Sequence, residues 1–198
     1  MKTNNFTLPA FMAVAMAVSL GSCSLDEKKA TEKQVLVVGQ TENDVKRGEY
    51  LVAIMGCHDC HSPKQMGAKG PEIIPELMLS GYPAERPIVK FNNPLQKEGF
   101  SMFYPDLTGA NGPWGVSFAA NITPDATGIG TWTKEQFKNA LTKGKYKGLD
   151  TERMLLPPMP WFNYAFLKDE DSDAIFAYLK SIKPVKNVVP DPITPDKM

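Results

Sequence analysis

Cys57-His58-Asp59-Cys60-His61 spells C-x-x-C-H, the spacing of a covalent c-type haem attachment site. Two thiols with two residues between them can each add to one of the two vinyl groups on a single porphyrin edge. The histidine that follows directly then lies under the iron and can coordinate it as proximal ligand. Competing readings have less to stand on. A thioredoxin-like pair belongs near a βαβ pattern, and none surrounds Cys57. A zinc site usually needs four ligands, often from a second Cys or His pair. The chain has 3 Cys, and its 2 His both lie in this run. A chance match in an exported protein is the remaining alternative.

The N-terminus supplies the export context. Lys2 gives a positive start, and Ala10 to Leu20 is an apolar run too short to span a bilayer and sized like a signal-peptide core. Leu20-Gly21-Ser22-Cys23 then has the form of a bacterial lipobox, which makes residues 1–22 the signal peptide and Cys23 the lipidated first residue. Cysteine usage agrees, because Cys23 would otherwise be an unpaired thiol in an oxidising compartment. Ordinary cleavage nearby, leaving a soluble periplasmic protein, is the plainer alternative. With three cysteines so assigned, no structural disulfide is expected and the haem must share in stabilising the fold.

The 198 residues carry 22 basic and 22 acidic side chains, so the chain is neutral overall. No polybasic patch points to nucleic acid and no acidic tail points to disorder. The length suits one domain with a sizeable core. The 17 Pro and 15 Gly predict many loops and short helices.

Residues 23–43 read as lipid anchor and polar linker, interrupted by Val35-Leu36-Val37-Val38. The first predicted helix runs from about Asp44 to Met55. Thr41 and Asp44 have capping-box-like spacing, with Asn43 an equal candidate cap. Val45, Leu51, Val52 and Met55 form a partial apolar face. Gly48 costs a helix about 1 kcal/mol relative to Ala, a cost that fits a site where another backbone approaches closely. A second helix is expected from Thr133, where Thr133 and Gln136 form a capping box, to Gly144. A third follows Asp169-Glu170-Asp171, whose charges suit a helix N-terminus, with Ile175, Tyr178, Leu179 and Ile182 on one face. The acidic run lacks the mid-loop Gly and final Glu of a calcium loop. Residues 64–117 are rich in Gly, Pro and aromatics with little periodicity, and read as an insertion covering the haem edge or offering a docking surface. Residues 191–198 are a tail.

Haem that carries electrons is generally closed by a second axial ligand. His58 is constrained inside the attachment loop, so methionine is the expected donor. Met159 stands in Leu156-Pro157-Pro158-Met159-Pro160-Trp161, where the prolines stiffen the loop that presents its thioether. Met154 is the nearest rival, and Met66, Met78 and Met102 are possible substitutes; most methionines simply pack in cores. Trp132, Trp161 and Tyr164 could donate hydrogen bonds to haem propionates, with core packing an equal reading.

The chain resembles the monohaem class I c-type cytochromes, in their bacterial lipoprotein branch. It is also similar to the haem domains of cytochrome subunits of membrane-bound alcohol and aldehyde dehydrogenases. The shared segments are R-G-E-Y-L-V (Arg47–Val52), C-H-D-C-H, N-I-T-P-D (Asn121–Asp125), G-I-G-T-W-T (Gly128–Thr133), L-P-P-M-P-W and D-A-I-F-A-Y-L-K (Asp173–Lys180). Together they cover about residues 44–190. The chain has one C-x-x-C-H where those subunits carry several, and a lipid at Cys23 would replace their C-terminal membrane helix. The resemblance implies a mainly α, class I cytochrome c fold, with three or more core helices around one covalent haem c. It also implies His61 and Met159 as axial ligands. The expected function is electron transfer, not catalysis, between a dehydrogenase donor and an oxidase or other cytochrome acceptor. The expected place is a bacterial membrane facing the periplasm; Ser24 lacks the aspartate associated with inner-membrane retention and so favours the outer membrane. A haem-bearing subunit fixed to one dehydrogenase and a ligand sensor or peroxidase are the rival readings. The second of these lacks a well-placed distal acid–base residue.

Overall fold

The computed structural model describes residues 41–89 and 94–198. The signal peptide, Cys23 and the linker up to residue 40 lie outside the described residues.

Thr41 starts the first helix by closing a capping box. Its hydroxyl accepts from the Asp44 amide at 3.2 Å, and the Asp44 carboxylate accepts from the Thr41 amide at 2.8 Å. The helix, α1 (Glu42–Ile54), therefore begins two residues earlier than its apolar pattern suggested and buries Val45, Gly48, Leu51 and Val52. The last helix, here α6 (Asp169–Ser181), has no side-chain cap; Asp169, Glu170 and Asp171 occupy its first turn instead. It is pinned to α1 by Arg47, whose Nε donates to Asp171 at 2.9 Å.

The two helices cross at Gly48. A Cβ there would collide with the Ala174 carbonyl and come within 2.8 Å of the Tyr178 Cβ. The close approach that Gly48 was expected to permit is thus made by Ala174 and Tyr178. A third helix, α4 (Lys134–Lys143), is capped by Thr133 and Gln136 and ends at Gly144, whose φ of 65° is the left-handed geometry that suits glycine. It lays Phe137 on Phe176 of α6, ring centroids 5.2 Å apart. Val45, Leu51, Val52, Leu79, Ile129, Phe137, Leu141, Ile175, Phe176 and Leu179 make the core between these elements.

Between α1 and α4 the chain is not structureless. α2 (Cys57–His61) is followed by a hairpin of β1 (Lys64–Gly67) and β2 (Gly70–Ile73). A short helix, α3 (Pro94–Lys97), precedes an antiparallel sheet of β3 (Met102–Phe103), β4 (Gly109–Gly112) and β5 (Gly115–Phe118), with Ala110 opposite Ser117. Residues 191–198 also take part. Ile193 pairs antiparallel with Val116, its amide donating to the Val116 carbonyl at 2.9 Å. A last short helix, α5 (Trp161–Tyr164), links the proline-rich loop to α6. Among the described residues no helix is long and apolar enough to cross a membrane.

Candidate functional site

α1 delivers the chain to Gly56, which turns left-handed (φ 69°) and starts the one-turn helix α2. Three residues apart on that turn, Cys57 and Cys60 project from the same side of it, each half-buried. Burial pushes the Cys57 thiol up to about 11, and raises that of Cys60 as well. A redox-active thiol pair would need the opposite, a lowered pKa.

His61 is held at both ends. Its backbone carbonyl accepts from the Gly81 amide at 2.8 Å. Its Nδ1 lies 2.7 Å from the Ala120 carbonyl oxygen. A carbonyl only accepts, so Nδ1 carries the proton and Nε2 keeps a free lone pair, the state a metal ligand requires. Burial holds the imidazole below its ordinary pKa, against the opposing pull of Ala120, and so favours that neutral form. Ala120 is itself placed by its neighbours: the Ala119 amide donates to Thr108 and the Ile122 amide to Leu79, at 2.8 and 3.0 Å. His58 points elsewhere, with Nδ1 3.0 Å from the Ser62 hydroxyl.

Met159 packs against the same apolar cluster as Cys57, together with Met55, Met78, Ile122, Trp132, Tyr164 and Leu167. Its loop borders an open pocket of about 240 Å³ lined by Leu155, Pro157, Pro158, Met159, Trp161 and Phe162. Ser117 of β5 ties that loop down by donating to the Pro157 carbonyl at 2.5 Å. The rival methionines fare differently. Met66 is 76% exposed and Met154 is 40% exposed, with the Met154 backbone paired to Lys145. Met102 is in β3, whereas Met78 packs on the cluster.

The aromatic residues divide. Trp132 is partly buried against the cluster. Trp161 lies over Gly144, so close that a Cβ there would sit within 2.7 Å of its ring. The Tyr164 hydroxyl already donates to the Met55 carbonyl at 3.2 Å, so it serves the fold. Pattern reading did not reach Ala120, Ser117 or Gly81, because each acts through a backbone group or a hydroxyl that carries no motif.

The N-I-T-P-D and G-I-G-T-W-T segments form one folded loop. Asn121 accepts from the Thr123 amide at 2.9 Å and Asp125 from the Thr127 amide at 2.8 Å. The Ile129 amide returns to the Thr123 carbonyl at 3.0 Å. That loop sets Ala120 at one end and Trp132 at the other.

A pair of thiols on one turn, an imidazole with its outer nitrogen free and an apolar wall that includes a thioether fit a covalently held haem. The comparisons with known proteins agree. The cytochrome c family model matches residues 45–183, and the chain belongs to that family. It carries haem c, for which Cys57 and Cys60 have the attachment spacing. The chain is 33% identical to the gluconate 2-dehydrogenase cytochrome c subunit of Pantoea cypripedii, over 71% of this chain and 24% of the relative. It is 30% identical to the cytochrome c subunit of the quinone alcohol dehydrogenase of Gluconobacter oxydans, over 74% and 24%. The fructose dehydrogenase cytochrome subunit of Gluconobacter japonicus is 29% identical over 71% and 22%. The chain thus spans about a quarter of the length of these curated relatives.

Proposed function

We propose that this chain is a single-haem electron carrier of the bacterial cell envelope, which takes electrons from a dehydrogenase and passes them to an oxidase or another cytochrome. Haem c supplies a one-electron couple when bound. Cys57 and Cys60 hold it through thioethers. His61 ligates through Nε2, oriented by Ala120. Met159, on a loop stiffened by prolines and tied to Ser117, would supply the second ligand to the iron. A neutral thioether favours the ferrous state and raises the potential. Trp132 and Trp161 wall the site. The arrangement of α1, α2, α4 and α6 is read as the class I cytochrome fold, with residues 64–117 inserted after the attachment motif.

The observation that carries this reading is the His61–Ala120 hydrogen bond at 2.7 Å, which fixes the imidazole for a metal on its far nitrogen. The relatives are named as cytochrome subunits of gluconate, alcohol and fructose dehydrogenases, which supports a dehydrogenase as donor. The chain itself is read as non-catalytic. Tethering is assigned to a lipid on Cys23, facing the periplasm, with the outer membrane favoured.

The test is the sixth ligand. Ferric wild type should show the weak long-wavelength band of sulfur-to-iron charge transfer, and Met159→Ala should remove it and admit carbon monoxide. Met154→Ala should leave it. An intact band in Met159→Ala moves the ligand elsewhere, Met78 first. Rapid carbon monoxide binding by wild type would favour a sensor.

A further inference from the structure

Lys64 is neither a thioether cysteine nor an axial ligand, yet its half-buried side chain sets its ammonium on carbonyls of the attachment motif. Its Nζ lies 2.6 Å from the Asp59 carbonyl oxygen, 3.1 Å from that of Ser62 and 3.3 Å from that of His58. A fourth carbonyl, that of Asp106, lies 3.1 Å away. An ammonium has three N–H donors, so four acceptors crowd one charge. Three of them belong to α2 and the residue that ends it. They lie at the C-terminal end of α2, where a cation is favoured; the His58 carbonyl also accepts from the Ser62 amide at 3.2 Å.

The fourth links this turn to a rigid anchor. Asp106 receives both guanidinium nitrogens of Arg86, at 2.9 and 2.6 Å, and the Thr108 hydroxyl at 2.8 Å. Arg86 therefore neutralises Asp106. Among the described residues Lys64 itself forms no ion pair. The Asp59 carboxylate lies at the other end of α2, where it would meet a Cβ on Gly56 at 2.8 Å. The positive charge is held by dipoles and is not cancelled by a carboxylate in contact.

We propose that Lys64 is a positioning residue of the haem centre, which locks the turn that bears His61 to the Asp106 loop and raises the reduction potential through its fixed charge. The inference rests on His61 being the proximal ligand. Ferric haem carries one more positive charge than ferrous, so a cation fixed on the carbonyls of the attachment turn disfavours the oxidised state. A low-dielectric surrounding strengthens the effect.

Full-length haem-loaded protein should be compared with Lys64→Met, Lys64→Gln and Lys64→Arg, reading the reduction potential and the paramagnetically shifted haem methyl resonances of the ferric form. The neutral variants should shift the equilibrium with a fixed reductant about tenfold towards the oxidised form, about 59 mV for one electron. Lys64→Arg should keep most of the wild-type potential. Neutral variants with wild-type potential and resonances would overturn the proposal. Where the neutral variants fail to load haem, wild type labelled with ¹⁵N-lysine decides. One ammonium should show exchange-protected protons that shift on oxidation, and the lack of such a signal would also overturn it. Failure of the underlying reading looks different: wild type would carry no covalent haem, or His61→Ala would keep its native spectrum.

Discussion

At the scale of single residues, one glycine and one ion pair make opposite use of close contact. Gly48 lets α6 approach α1 until the Ala174 carbonyl occupies the space of a side chain. Gly48→Val should cost about 3 kcal/mol or more, through overpacking at the crossing, as measured by denaturant unfolding of the haem protein. Arg86 and Asp106 are packed for charge. The Asp106 side chain is only 7% exposed. Its burial pushes the carboxyl up, but hydrogen bonds from Arg86 and Thr108 outweigh that and hold its pKa below the ordinary value of 3.8. A carboxyl depressed in the folded state stabilises above its unfolded pKa, and that contribution is lost as pH falls through the folded value. Acid unfolding below about pH 4 should therefore include this pair. Arg86→Met, which strands the carboxylate, should cost about 3 kcal/mol at neutral pH. Lys134→Met breaks an exposed pair with Asp173, both about half exposed, and should cost under about 1 kcal/mol.

At the scale of elements, the helices were legible because their ends are written in side chains. Thr41 with Asp44 and Thr133 with Gln136 form capping boxes where their spacing placed them. Thr41→Ala should cost about 1 kcal/mol, seen as a lower unfolding midpoint. The strands were not legible. β4 reads Gly-Ala-Asn-Gly and is buried at all four positions, so no alternation of apolar and polar residues marks it. β1, β2 and β5 are four residues each, too short for a period of two to show. At the proposed site, spacing singles out Cys57, Cys60 and His61 as candidates, and proline context singles out Met159. The supports behind them could not, since Ala120 serves by its carbonyl and Ser117 by one hydroxyl on a distant strand. Ser117→Ala frees the Pro157 carbonyl from its tie. The long-wavelength band should then be lost at a lower denaturant concentration than in wild type, while the band at zero denaturant stays.

At the scale of the whole molecule, the helical part and the sheet-bearing segment grip the attachment motif from two sides. α1 and α6 supply the apolar wall shared by Cys57 and Met159, while residues 79–82 and 119–120 clamp His61. The far end of the chain joins this grip through the Ile193–Val116 pairing. If Cys23 carries lipid, wild type should fractionate with membranes and Cys23→Ala should become soluble or accumulate uncleaved; recovery of wild type wholly in the soluble fraction would exclude the anchor. The half-buried thiols have a bearing on the order of biogenesis. Burial raises the pKa of both Cys57 and Cys60 and so lowers the share of reactive thiolate in the folded chain. Haem should therefore attach faster to a chain still open than to one in which α6 has already shut on Gly48, so the crossing that completes the protein also sets the best moment to receive its pigment.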